Sequence, residues 1–307
     1  MKFQHVRKVS AVLLGMLTAA AVLALLRNGS SLMESLKAHT WTLDWLKLAG
    51  SAALLAVALF LTPQGWVIIC RSMGSTLGNG TLRSAWFASQ LGRYVPGKVW
   101  LFAGRAGFLK SRGMSGGRAA ATTLYELLFS FASVGLIALA AFGASPDLMS
   151  GGGMGTVAAA AGAALLVIPL LHPVQRAVCR RKGISPDSLP CLSTALKAVS
   201  LYTMLWLLRG MSIYLLLSGT GIEPVKLFRS LAAAPLSWLA GYIVVIVPGG
   251  IGIREAAAAA IAAPGSEAPA AAALAGHRLF MAAVELALAA FTAKKIIKKE
   301  GNDTAEG

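Results

Sequence analysis

Long apolar runs separated by short polar or basic stretches pattern the chain from end to end. Runs at about 9–26, 48–69, 122–143, 154–172, 198–218 and 269–292 reach the roughly 20 residues that a helix needs to cross about 30 Å of hydrocarbon. The expectation is an all-α protein, a polytopic transmembrane helix bundle with about six full spans. Lys2, Arg7 and Lys8 ahead of the first run look like the start of a secretory signal. No small-residue cleavage pattern follows in "LLRNGSS", which favours an uncleaved first span.

Two further apolar segments do not read as simple spans. Residues 84–105, SAWFASQLGRYVPGKVWLFAGR, are aromatic and apolar yet carry Arg93, Lys98 and Arg105 around a Pro-Gly. Uniformly basic flanks predict that this segment enters and leaves by the inner face. Residues 228–263 are interrupted at Pro248-Gly249-Gly250; as one helix they would run about 54 Å, far more than a single crossing. A hairpin of two half-helices opening to the outer face fits that length. The order then becomes span, span, re-entrant hairpin, span, twice over. A Gly-rich stretch at 145–155 separates possible halves at 1–145 and 154–293, and 294–307 is a short polar tail. This is the arrangement of inverted-repeat transporters, whose sites form at mid-membrane from broken helices. The alternative is that YVPGKVW and IVPGGIG match by chance in a glycine-rich membrane protein.

Composition agrees with a membrane class: 56% of residues are hydrophobic and 13% charged, and the 307 residues are expected to form one integral membrane domain. The net charge of +16 raises the question of nucleic acid, but the distribution argues against it. Twenty Lys and Arg fall in 1–8, 71–118, 173–197 and 294–299, against five in the intervening loops (Arg27, Lys37, Lys47, Lys226 and Arg229). That bias puts both termini on the cytoplasmic side and draws anionic lipid headgroups to it. Cys70, Cys179 and Cys191 then all face a reducing compartment, and free thiols are expected. His5, His39, His172 and His277 lack ligand spacing. The sequence carries no metal-site pattern, dinucleotide fingerprint, ATP-binding motif or nucleophile motif, so no cofactor is expected.

The candidate chemistry lies where charge meets broken backbone. Non-helical backbone is tolerated at membrane depth only inside protein or along a wet cavity. Gly249, Gly250 and Gly252 precede a helix-forming run from Arg254 to Ala263, and the amides and dipole at that helix start suit an anion, a phosphate above all. Arg254 adds a full charge beside it. The competing reading is a packing kink in which Arg254 and Glu255 neutralise each other. Other ionisable groups predicted within apolar runs are Glu126, Arg209, His277, Arg278 and Glu285; a charge at the membrane centre costs about 2.5–3.5 kcal/mol on insertion scales, so such a group marks a site or pathway. Arg209, Arg254 and Arg278 are the expected headgroup ligands. Arg278 and Glu285 share a helix face and are able to pair. Glu126, Glu255 and Glu285 are expected counter-ions or proton carriers, with Glu126 near enough to the inner surface to be hydrated. Arg93 and Lys98 are candidates to touch a headgroup, among the interfacial aromatics Trp86, Tyr94 and Trp100.

"LGRYVPGKVW" at 91–100, Arg105, Glu126, "VPGGIGIREA" at 247–256 and "HRLF" at 277–280 resemble the lysylphosphatidylglycerol synthase transmembrane-region family, also described as flippase-like. The likeness covers essentially the whole chain. It implies a multi-pass bacterial inner-membrane protein that moves lipids with polar heads, or lipid-linked precursors, between leaflets. The family often has Arg directly after the glutamate of the third span, where this chain has Leu127. Members that make aminoacylated lipid carry a large soluble catalytic domain after the membrane part; these 307 residues hold none, so that activity is not expected.

The resulting expectation is a non-enzymatic lipid transporter whose partners are membrane lipids, not nucleic acid. The alternative is a membrane enzyme, or the partner of a biosynthetic enzyme, in envelope lipid or glycolipid synthesis, with Glu126 or Glu285 as acid and base. A plain scaffold is a third option.

Overall fold

The structure, a computed structural model, describes residues 33–90, 92, 99–144, 189–243 and 250–303, with 99, 142, 144, 243 and 293–303 as backbone alone. The runs at 9–26 and 154–172, the 145–155 connection, Pro96-Gly97 and Pro248-Gly249, and with them Arg93, Lys98, Cys179, His5 and His172, lie outside the described residues. Among the described residues there is no strand.

Helix α1 (Trp45–Leu61) starts where the Asp44 carboxylate accepts the Leu46 and Lys47 amides, each at 3.2 Å, an N-cap that answers two donors no carbonyl can reach. It ends at Thr62, because Pro63 has no N–H to continue the ladder, and α2 (Pro63–Ser72) takes over. Then follow α3 (Asn79–Gln90), α4 (Val99–Ser111), α5 (Gly116–Ala144), α6 (Leu192–Gly219), α7 (Leu227–Ile243), α8 (Ile253–Ala262) and α9 (Glu267–Asp303). Four segments are long and apolar enough to cross a membrane: 45–72, 116–141, 192–219 and 267–292. They correspond to four of the predicted runs, and they make the protein multi-pass.

Helix α9 continues beyond the predicted last span to Asp303, so the lysine-rich stretch extends it as helix. Ala, Lys and Glu are good helix formers, and no glycine or proline occurs between Gly276 and Gly301.

Both interrupted segments resolve into helix pairs. On either side of the first Pro-Gly, α3 packs on α4; on either side of the second, α7 packs on α8. The α7–α8 pair is antiparallel, since Arg229 near the start of α7 reaches the Ile261 carbonyl near the end of α8, while Gly241 near the end of α7 meets Gly250 and Arg254. Six of the ten residues of helix α8 are alanine, and Ala258, Ala259 and Ala262 join Ala232, Ala233 and Ala234 of α7 in one buried apolar cluster.

Helix α6 is the central post, packed on α1, α2, α5, α7 and α9. Glycines let neighbours approach it. A Cβ on Gly210 would stand 2.5 Å from Leu231 Cα, and one on Gly65 would overlap the Tyr202 ring. Leu46, Leu124, Leu136, Leu196, Leu279 and Phe291 face outward from the long helices, as a lipid-facing surface requires.

Candidate functional site

The ionisable residues inside the bundle gather around two adjoining cavities. The first, about 180 Å³, is bounded by both helix pairs: Trp86 and Gln90 from α3, Arg105 from α4, Trp238 and Tyr242 from α7, and Arg254 from α8. Helices α5, α6 and α9 add Glu126, Tyr202, Arg209 and Glu285. The second, about 100 Å³, is bounded by Glu255, His277 and Arg278. Trp206, Arg209, Trp238, Arg254 and Met281 border both cavities and so form their common wall. Helical spacing explains the convergence: Tyr202, Trp206 and Arg209 follow one another at steps of four and three on one face of α6.

The first cavity holds a buried ion pair. Glu126 receives the Arg105 guanidinium on one carboxylate oxygen and the Trp86 indole N–H at 2.7 Å on the other. Arg105 is 2% exposed, donates to Ser89 Oγ at 2.8 Å, and lies over the Trp86 ring at 4.8 Å. Glu126 is 8% exposed, so it is not the hydrated inner-surface carboxylate that its place in the sequence suggested. A buried carboxylate needs a charged partner, and α4 supplies one.

The second pair joins α8 to α9. Glu255 accepts Arg278 Nη1 at 2.6 Å, and the same nitrogen lies 3.3 Å from the Gly250 carbonyl. The other Glu255 oxygen accepts the Gly252 amide at 2.6 Å. The Gly252 amide at the start of α8 is taken by the helix's own carboxylate, which is the group that the helix dipole favours there. Arg278 reaches this carboxylate from α9, 23 residues along the chain. Gly250 and Gly252 have φ of +68° and +83°, the conformation that favours glycine, and Gly249 is outside the described residues.

Arg209 donates to Thr62 Oγ1 at 2.8 Å, at the α1–α2 junction, and its guanidinium stacks 4.9 Å from the Trp206 ring. Arg254 runs across Gly241, where an added Cβ would come within 2.5 Å of its Cγ and Nε. Glu285 is 5% exposed at the first cavity. His277 Nε2 and Ser212 Oγ are 2.7 Å apart, within a buried cluster that also holds Ser51. Among the described residues no group of His, Cys, Asp and Glu has the makings of a metal site.

The family described as the lysylphosphatidylglycerol synthase TM region matches residues 12–289. The chain belongs to that family. Comparison with curated proteins and with solved structures returns no match. In this lysylphosphatidylglycerol synthase TM-region protein, the glutamate of the 116–141 span is followed by Leu127, and its guanidinium partner comes from another helix. Sequence reasoning missed Tyr202, Trp206, Trp238 and Tyr242 as cavity walls. The buried Tyr202 hydroxyl has no hydrogen-bond partner among the described residues. Their signal was the spacing to Arg209 on α6 and the i, i+4 pair on α7, which the overall apolarity of those helices hides.

Proposed function

We propose that the protein is a flippase-like transporter of the bacterial inner membrane, moving a lipid with an anionic or polar headgroup between leaflets. The observation that carries this is the position of Arg209 and Arg254 in the wall between the two cavities. A group moving from one compartment to the other meets the same two cations throughout. Four arginines against three glutamates around the cavities give a net positive lining, which attracts an anion strongly where water is scarce. Cavities below the roughly 300–1,000 Å³ of whole-ligand pockets suit a headgroup whose acyl or prenyl chains stay in the bilayer. Family membership supports a role in lipid metabolism or transport.

In this proposal α3–α4 and α7–α8 are corresponding re-entrant hairpins of an inverted repeat with six full spans and both termini inside. That both hairpins border the first cavity supports it. The halves open alternately, passively or coupled to an ion or a partner, and no covalent bond is made.

The test is leaflet exchange of fluorescent phosphatidylglycerol in liposomes containing the purified protein. Removing one charge-assisted contact loses about 1.5–3 kcal/mol, so Arg254→Gln is expected to slow exchange roughly 10- to 100-fold with insertion and folding intact. A folded Arg254→Gln protein exchanging lipid at the normal rate would overturn the assignment. A chemically altered lipid in the same vesicles would point instead to an enzyme.

A further inference from the structure

A third cavity, about 270 Å³, lies away from the central pair, between the end of the 45–72 segment and the start of the 116–141 segment. Its walls are the loop after α2 and the α4–α5 turn, including Ser75, Thr76, Arg112, Ser115 and Arg118.

Both loops are firmly built. After α2 the Gly74 and Ser75 amides bond back to Arg71 and Cys70; after α4 the Gly113 and Met114 amides bond back to Lys110 and Leu109. Gly74 and Gly113 have φ of +87° and +90°, so both turns are glycine-terminated helix caps. Arg71 pins the first loop by donating to the Ser75 carbonyl at 3.1 Å and to Asn79 Oδ1 at 3.0 Å.

Three features make this hollow suited to phosphate. Arg112 and Arg118 enter from the α4–α5 side, and Arg118 Nη1 reaches across to within 3.7 Å of where a Gly74 Cβ would stand. Ser75 is 8% exposed, yet its hydroxyl has no hydrogen-bond partner among the described residues, which is costly unless something else answers it. Ser115 and Arg118 bring the amino end of the 29-residue α5, with amides that no intrahelical carbonyl reaches, to the rim. The carboxyl ends of α2 and α4 also face this region, but Arg71 and Lys110 stand in their last turns. No Asp or Glu occurs between Asp44 and Glu126, while nine Lys and Arg do, so the stretch that builds this cavity supplies no carboxylate of its own.

We propose that this end cavity is a second anion site, distinct from the central hollow, that takes a phosphate group carried by a lipid headgroup or by a soluble phosphate ester. Its position at the ends of two membrane-length segments is where headgroups and solution phosphate both arrive. The inference stands or falls apart from the central transport reading, because none of its residues borders the central cavities.

The test uses the full chain in nanodiscs of zwitterionic lipid, titrated either with inorganic phosphate or with labelled phosphatidic acid. Bound ligand is counted by native mass spectrometry, and folding is checked by thermal unfolding. The double variant Arg112→Gln/Arg118→Gln is expected to weaken binding about 10-fold or more, with the double Lys variant restoring part of it. Arg83→Gln, a charge lost elsewhere, is expected to change it less than twofold. Saturation by inorganic phosphate that the double variant loses assigns the site to free phosphate chemistry. Retention of phosphatidic acid alone, lost in the same variant, assigns it to the headgroup. Unchanged binding of both ligands in a folded double variant, or an equal loss in Arg83→Gln, overturns the proposal.

Discussion

Arg105 and Glu126 show how much a single buried pair decides. Each is shielded from water, so removing one partner strands a charge and is expected to cost about 3–5 kcal/mol. Arg105→Met alone should therefore lower thermal stability in detergent sharply, and adding Glu126→Gln should recover part of the loss; strict additivity in that cycle would refute the coupling. At the polar edge of α6, Cys191 is exposed, and hydrogen bonds to its sulfur from the Ser193 and Thr194 hydroxyls, each at 3.1 Å, lower its thiol from 9.0 to about 7. Its alkylation rate is expected to rise with pH and level off just above neutrality, while buried Cys70 stays unreactive until the protein unfolds; a Cys191 rate still climbing at pH 9 would contradict this. The sequence identified most of these ionisable residues but not their partners. Arg105 and Glu126 lie 21 residues apart on different helices, and Glu255 and Arg278 lie 23 apart. Pairing across such distances is a property of packing, which no local spacing encodes.

Among the helices, glycine separates contacts that matter from those that do not. Gly210→Ala would drive a methyl into the backbone of Leu231 and push α6 from α7, an overpacking expected to cost about 1–3 kcal/mol. Gly107, inside α4 with nothing within 4 Å of where a methyl would stand, should instead gain up to about 1 kcal/mol as alanine. Paired thermal unfolding of the two variants checks both signs. Length and apolarity alone located the four long segments, because a membrane crossing leaves that trace in any sequence. That each interrupted segment divides into two packed helices was legible from Pro and Gly, which cannot sit inside an uninterrupted helix without consequence. The division of 45–72 at Thr62 was not read, although Pro63 was visible, because the apolar run continues through it.

For the molecule as a whole, the proposed orientation has a direct check. With Cys179 changed to Ser, a membrane-impermeant maleimide should label Cys191 only from the cytoplasmic face of inverted vesicles; labelling in intact cells would reverse the topology. The seam between α7 and α8 has a further mechanical meaning. Small side chains meeting small side chains let the two helices lie close together, so a methyl added at Gly241 would press within 2.5 Å of Arg254 Cγ and Nε and disturb the guanidinium in the cavity wall.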